Sequence, residues 1–221
     1  MSALKIQPAS PGWGFGFLWV LATIVGALVG PVFAYPINLA LVAFLGVTAP
    51  VPGTPTEQAL ILTLDGLGAS MLFVGLGMGF CQWLLLRKYL EHSAGWIPAT
   101  GLAMLLEGIF RWSLPPDTPP GWIGPLTVPV GAILLAVCQW FVLRGRVPHA
   151  GWWVVLCLAG WVPTLAFAIA AEYLPLSSES LLGIVIIVIG TVLPFAVAAG
   201  GMVWLLRQIP STHQAVRHKP G

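Results

Sequence analysis

Two charged side chains four residues apart, Glu107 and Arg111, interrupt an apolar run that begins at Trp96. At 1.5 Å of rise per residue, Glu107 falls about 17 Å along a helix counted from Trp96, and Arg111 about 22 Å. Those depths lie just past the centre of a hydrocarbon layer about 30 Å thick and in its far half. Ionised groups there are costly, and they mark ion pathways, proton relays or counter-charges for a ligand. Glutamate preceding arginine by four is also the favourable order for a helical ion pair. Asp65 lies about 33 Å from Arg87 on the same count, near the far boundary. Two chemistries fit these residues. Glu107, Arg111 and Asp65 form an intramembrane polar site for an ion or ligand, or Glu107 and Arg111 neutralise each other while Arg111 reaches outward. Aligning the chain on its Gly-Trp pairs puts Ile24 and Pro163 opposite Glu107, and Leu28 and Phe167 opposite Arg111. A charge pair found in one unit alone resembles a site more than a scaffold element.

Other catalytic chemistry finds no foothold. The chain lacks G-x-S-x-G, H-E-x-x-H and P-loop spacings. His92, His149, His213 and His218 fall between or beyond the apolar runs, so paired haem ligation across helices is not expected. Cys81, Cys138 and Cys157 form no C-x-x-C or Cys/His cluster; they read as small core residues that stay thiols. The expectation is no catalytic residue, no metal and no cofactor.

A phrase that occurs twice positions everything else. Residues 81–92 read C-Q-W-L-L-L-R-K-Y-L-E-H, and residues 138–149 read C-Q-W-F-V-L-R-G-R-V-P-H. Each is followed by Ala-Gly-Trp, and Trp204-Leu205-Leu206-Arg207 is a fainter third copy. Trp83 and Arg87 are four apart, as are Trp140 and Arg144, while Trp204 and Arg207 are three apart, so each pair shares a helix face. An indole at headgroup level with a guanidinium extended toward phosphate is an interfacial anchor, with cation–π contact between the two. The same rim read functionally is a lipid- or partner-binding edge. Trp13, Trp96 and Trp152 are expected to complete the aromatic belt at that membrane face. Gln82 and Gln139 precede the anchors by one residue and suit a polar joint between helices. The third copy has Met202 or Val203 there instead.

The composition admits only one solvent for most of this chain. Hydrophobic types make up 58% of 221 residues and charged types 7%, against about 25% charged in soluble domains; mean hydropathy is +0.94. Six apolar stretches reach spanning length, near Trp13–Ala34, Ala59–Arg87, Trp96–Leu114, Trp122–Arg144, Trp152–Tyr173 and Leu181–Arg207. Pro31 and Pro36 are expected to end or kink the first. Residues 38–47 then either continue it or lie at the interface. The first run lacks a convincing cleavage site and reads as a retained helix. Gly26-x-x-x-Gly30 and Gly75-x-x-x-Gly79, with Gly66, Gly68 and Gly77, predict that the first two helices pack through small faces.

Lys5, Arg87, Lys88, Arg144, Arg146, Arg207, Arg217 and Lys219 all fall in the tails or in the loops after the second and fourth helices. The alternate loops hold Glu57, Asp117, Glu172 and Glu179 with prolines. The positive-inside rule then puts both termini in the cytoplasm. The expected fold is an all-α membrane domain of six helices, arranged as three parallel-related hairpins. They cover residues 12–87, 95–144 and 151–207, with short tails at 1–11 and 208–221, in a bacterial inner membrane. No basic stripe with interleaved aromatics points to nucleic acid.

The strings Q-W-L-L-L-R…A-G-W and Q-W-F-V-L-R…A-G-W-W resemble a family of uncharacterised multi-span bacterial membrane proteins with repeated Q-W-L-V-L-R…A-G-W-W joints, common in cyanobacteria and other phototrophic or filamentous bacteria. The likeness covers two joints, a minority of the chain, and implies architecture but no activity. The expectation for function is a non-enzymatic accessory subunit whose partners are the lipid bilayer and another membrane protein or a second copy of the chain. A small transporter using Glu107, Arg111 and Asp65 is the alternative.

The charge pattern makes a direct prediction. Topology reporters fused after His92 or His149 should behave as cytoplasmic, and those inserted near Gly53, Thr118 or Ser178 as external. A cytoplasmic signal at Thr118 would sink the six-span arrangement.

Overall fold

A computed structural model of the chain describes residues 11–44, 69–115, 117–173 and 181–209. Among them the regular structure is entirely helical: α1 Trp13–Phe44, α2 Ala69–Leu86, α3 Trp96–Ser113, α4 Pro120–Leu143, α5 Trp152–Tyr173 and α6 Leu181–Arg207, with one 3₁₀ turn at Ser93–Gly95. Four segments are long and apolar enough to cross a membrane: Trp13–Pro36, Ser93–Ser113, Gly121–Leu143 and Val188–Arg207. Ser70–Leu86 and Trp152–Phe167 are apolar but shorter. The described residues are therefore all-helical, with a composition and helix length that suit a membrane protein. Asp65, Gly66 and Gly68 lie outside the described residues.

Helix α1 runs through Pro31 and Pro36 to Phe44, so neither proline ends it, and residues 38–44 continue the helix. A proline costs one backbone hydrogen bond and crowds the preceding turn. Inside a membrane no competing solvent rewards unwinding, and prolines persist within spanning helices. Pro125 and Pro129 in α4, Pro163 in α5 and Pro194 in α6 are carried in the same way.

Each helix packs on the next, and α6 returns to α1, closing a ring. Glycine sets the tightest of these contacts. A Cβ on Gly26 would stand 2.5 Å from the Met78 Cα, and one on Gly30 2.5 Å from the Val74 Cα. From α2, a Cβ on Gly77 would meet the Gly26 carbonyl at 2.5 Å. Residues 26 against 78 and 30 against 74 run in opposite directions, so α1 and α2 are antiparallel. Gly75 and Gly79 do not face α1. Cβ atoms there would meet the Thr100 carbonyl at 2.6 Å and the Ile97 Cα at 3.0 Å, both on α3. The expected Gly75-x-x-x-Gly79 contact with helix 1 is thus corrected. Residues two apart point to nearly opposite sides of a helix, and α2 spends its glycines on two neighbours at once.

The apolar core gathers at one end of the ring, where α1, α3 and α5 begin and α2, α4 and α6 end. It contains Trp19, Trp96, Trp153, Leu86, Leu143, Met202 and Leu205, all at most 1% exposed. The turns at this end carry Arg87, Lys88, Arg144 and Arg146. At the other end Ile109, Trp112 and Trp122 are exposed.

These glycine contacts predict an asymmetric response to added methyl groups. Gly26→Ala should lower Tm in detergent by an amount corresponding to about 1–3 kcal/mol of overpacking. Gly151→Ala, whose Cβ would meet nothing within 4 Å, should leave Tm unchanged. Equal behaviour of the two variants would contradict the packing described.

Candidate functional site

Three indoles meet at the centre of the basic end, one from each odd-numbered helix. Ring centroids lie 5.7 Å apart for Trp19–Trp96, 5.7 Å for Trp96–Trp153 and 6.3 Å for Trp19–Trp153, all edge-on. Edge-to-face pairs at such separations contribute about 0.5–1.5 kcal/mol each beyond their burial. Trp96 was expected in the interfacial belt, and the structure corrects that: it is fully buried, whereas Trp13 and Trp152 are exposed. The physical reason is register. Ala-Gly-Trp strings align Trp96 with Trp152, an offset of 56. Gln82 and Gln139, Arg87 and Arg144, and His92 and His149 are each offset by 57, which aligns Trp96 with Trp153. Both histidines adopt φ 57°, the left-handed conformation, so the two turns leave their helices alike.

Counted from each central tryptophan, the fourth residue onward is Thr23, Thr100 or Cys157, and the seventh is Gly26, Ala103 or Gly160. All six are buried. This W-x-x-x-(T/C)-x-x-(G/A) pattern was legible in the chain, but Trp19 lies six residues inside α1 and escapes an alignment on Gly-Trp.

The threonines and glutamines form a buried polar chain. Thr23 Oγ1 donates to the Trp19 carbonyl at 2.8 Å. Gln82 Nε2 donates to Thr23 Oγ1 at 2.8 Å, and Gln82 Oε1 accepts from Trp96 Nε1 at 2.8 Å. One amide thereby ties α1, α2 and α3. Thr100 Oγ1 donates to the Trp96 carbonyl at 2.9 Å and accepts from Gln139 Nε2 at 3.0 Å, extending the chain to α4. In the third set, sulfur replaces these groups: Cys157 stands in the threonine position and the fully buried Met202 in the glutamine position. Trp153 Nε1 and Ser93 Oγ are buried without a hydrogen-bond partner.

The anchors divide. The Arg87 guanidinium lies 5.3 Å from the Trp83 ring centroid, and that of Arg144 lies 5.6 Å from Trp140 and 4.4 Å from Phe141. Arg207 instead donates from Nε to the Pro11 carbonyl at 2.9 Å, fastening the end of α6 to the start of α1. Trp204 packs edge-on against Trp152 at 6.4 Å.

Glu107 is half-buried and lies over Gly131 of α4, where an added Cβ would stand 3.0 Å from its Cγ. Arg111, one turn further along α3, is exposed. In the register of the central tryptophans the residues matching Glu107 are Gly30 and Thr164, rather than Ile24 and Pro163. Gly30 abuts Val74, eight residues before Gln82, and Glu107 abuts Gly131, eight before Gln139. Glycine has changed sides between the two contacts, so the carboxylate side chain fills volume that its partner helix vacates.

Removing the amide of Gln82 should leave Trp96 Nε1 buried without an acceptor. Gln82→Leu is expected to destabilise the protein by about 1–3 kcal/mol, above the ~0.6 kcal/mol average for membrane hydrogen bonds. Gln139→Leu should cost less, and thermal unfolding in detergent followed by tryptophan emission reads both. A larger loss for Gln139→Leu would contradict the central place of Gln82.

Comparison with models of known protein families, with curated proteins and with solved structures finds no match for this chain, so its functional reading rests on the chemistry of these residues.

Proposed function

We propose that the chain is a non-enzymatic accessory or interaction protein of a bacterial inner membrane, built as three parallel-related hairpins with both termini cytoplasmic, that packs against lipid or another membrane protein. The observation that carries this reading is the centre of the ring at its basic end. The space through which a solute would pass is occupied by Trp19, Trp96 and Trp153, and the buried amides beside them are engaged in hydrogen bonds between helices. The outward surface is apolar, with Phe17, Leu28, Val32 and Phe33 of α1 all exposed. The arginine–aromatic pairs suit a membrane surface at the basic end. The same repeated joints support the likeness to multi-span bacterial proteins with Q-W-L-V-L-R…A-G-W-W strings.

One observation favours a small transporter as the second reading. Glu107 places a half-buried carboxylate within an apolar span, and such groups serve ion or proton movement elsewhere. Asp65 and Arg111 belong to that reading too.

Isolation from native membranes in mild detergent, paired with flux measurements in liposomes, separates the two. The accessory reading expects a second membrane protein or a defined lipid at fixed ratio, and proton and potassium leakage no faster than in protein-free vesicles. Flux carried by the wild type and abolished in a normally folded Glu107→Gln variant would replace it with the transporter.

A further inference from the structure

An open cleft of about 380 Å³ lies between α3 and α4 at the basic end, lined among others by Gly95, Ala99, Leu102, Cys138, Phe141 and Arg146. Gly95, in the turn that leads into α3, continues the face of α3 that carries residues 99 and 102, and 138 and 141 share one face of α4. Seven residues of helix carry the groove about 10 Å inward from its basic mouth. Leu102 and Phe141 are about half exposed, so the groove opens toward the bilayer rather than into the ring.

Its mouth is cationic on two sides. Arg146 donates from one guanidinium nitrogen to the Val142 carbonyl at 2.9 Å, which orients the group and leaves its other N–H donors available. Arg144 lies over Phe141, itself a wall of the groove. An apolar slot about 10 Å deep with two guanidiniums at its rim matches an acyl chain below an anionic headgroup. Guanidinium geometry suits phosphate oxygens in particular.

The rest of the chain supplies internal controls. The residue before each central tryptophan is Leu18, Gly95 or Trp152. Only glycine leaves the slot open. Beside Leu18, a smaller cleft of about 180 Å³ lies between the start of α1 and the end of α2, lined by Gly14, Phe15 and Lys88 among others, and Tyr89 stands there in the position of Arg146. In the third set Trp152 packs edge-on against Trp204, the counterpart of Phe141. Among three equivalent positions, the open groove coincides with the paired arginines.

We propose that the α3–α4 cleft is a binding site for one anionic phospholipid, its phosphate held by Arg144 and Arg146 and an acyl chain lying along Gly95, Ala99 and Leu102. This deepens the interaction reading above, and rests on it only in placing the basic end at a membrane surface.

The test is lipid retention by the purified full chain in detergent, measured by native mass spectrometry with equimolar phosphatidylglycerol and phosphatidylcholine. One phosphatidylglycerol should be retained in preference. Each of Arg144→Gln and Arg146→Gln should lower that preference about fivefold, from roughly 1 kcal/mol per basic residue at an anionic surface. Arg87→Gln, which removes the same charge outside the cleft, should leave it within about twofold. Ala99→Phe should expel the lipid with both arginines intact. Equal retention of the two lipids, an unchanged preference in the Arg144→Gln/Arg146→Gln double variant, or displacement by inorganic phosphate alone would overturn the proposal. A photo-reactive diazirine side chain replacing Leu102 should capture phospholipid in native membranes; capture of a protein there would assign the cleft to a protein and likewise overturn it. Because retention is read on the isolated chain, its failure leaves the accessory reading standing, and flux in liposomes would overturn that reading without touching the lipid site.

Discussion

A buried polar group inside hydrocarbon has no water to fall back on, and that constraint shapes the basic end of this protein. Gln82 meets it by giving its amide hydrogen to Thr23 and its carbonyl to the Trp96 indole, so a residue of α2 defines where α1 and α3 must be. Thr100 repeats the arrangement one helix further on through Gln139. These bonds hold Trp19 and Trp96 in place, and Trp153 of α5 meets both edge-on at the centre. Apolar association is weak between helices already solvated by lipid tails, so polar joints and close backbone contacts must carry the specificity. Both are concentrated here: Gln82 lies one turn from Gly79, and Thr23 one turn from Gly26.

The third set of equivalent positions relaxes the rule. Cys157 and Met202 make no hydrogen bond of comparable strength, and Trp153 Nε1 remains without a partner. A buried, unpaired indole N–H costs about 1–3 kcal/mol. That end of the ring is held by other means: Gly160 and Gly201 in the α5–α6 contact, and Arg207 bound to the Pro11 carbonyl where the ring closes. Strong polar joints early in the chain and a backbone clasp at its end divide the work of closing six helices.

The same division bears on function. Sealing the centre with tryptophan directs interest to the outer surface, where only the α3–α4 position combines a missing side chain at Gly95 with cations at Arg144 and Arg146. Glu107, the most conspicuous residue in the chain, lies in the opposite half, seated against Gly131. Its side chain has a packing role there whatever else it does, because its Cβ, Cγ and Cδ are the atoms nearest to where a Gly131 side chain would begin.

Class and the placement of basic charge were determined by the sequence alone, because both are sums over composition and position: 58% hydrophobic residues, and basic residues that apart from Arg111 fall in the tails and alternate turns, need no contacts to be read. The apolar runs also located most of the helices to within a few residues; α1 takes the continuing course of the two left open past Pro36, and residues 59–68 of the second run lie outside the described residues. Facing was decided by the tertiary structure. Two-residue spacing sends Gly77 to one neighbour and Gly75 and Gly79 to another, and an apolar helix with no polar stripe does not announce which side is inward. A one-residue difference in register decided whether Trp152 or Trp153 joined the core. Only the meeting of Trp19, Trp96 and Trp153 revealed it, since burial is a property of three helices together and no single stretch of chain contains it.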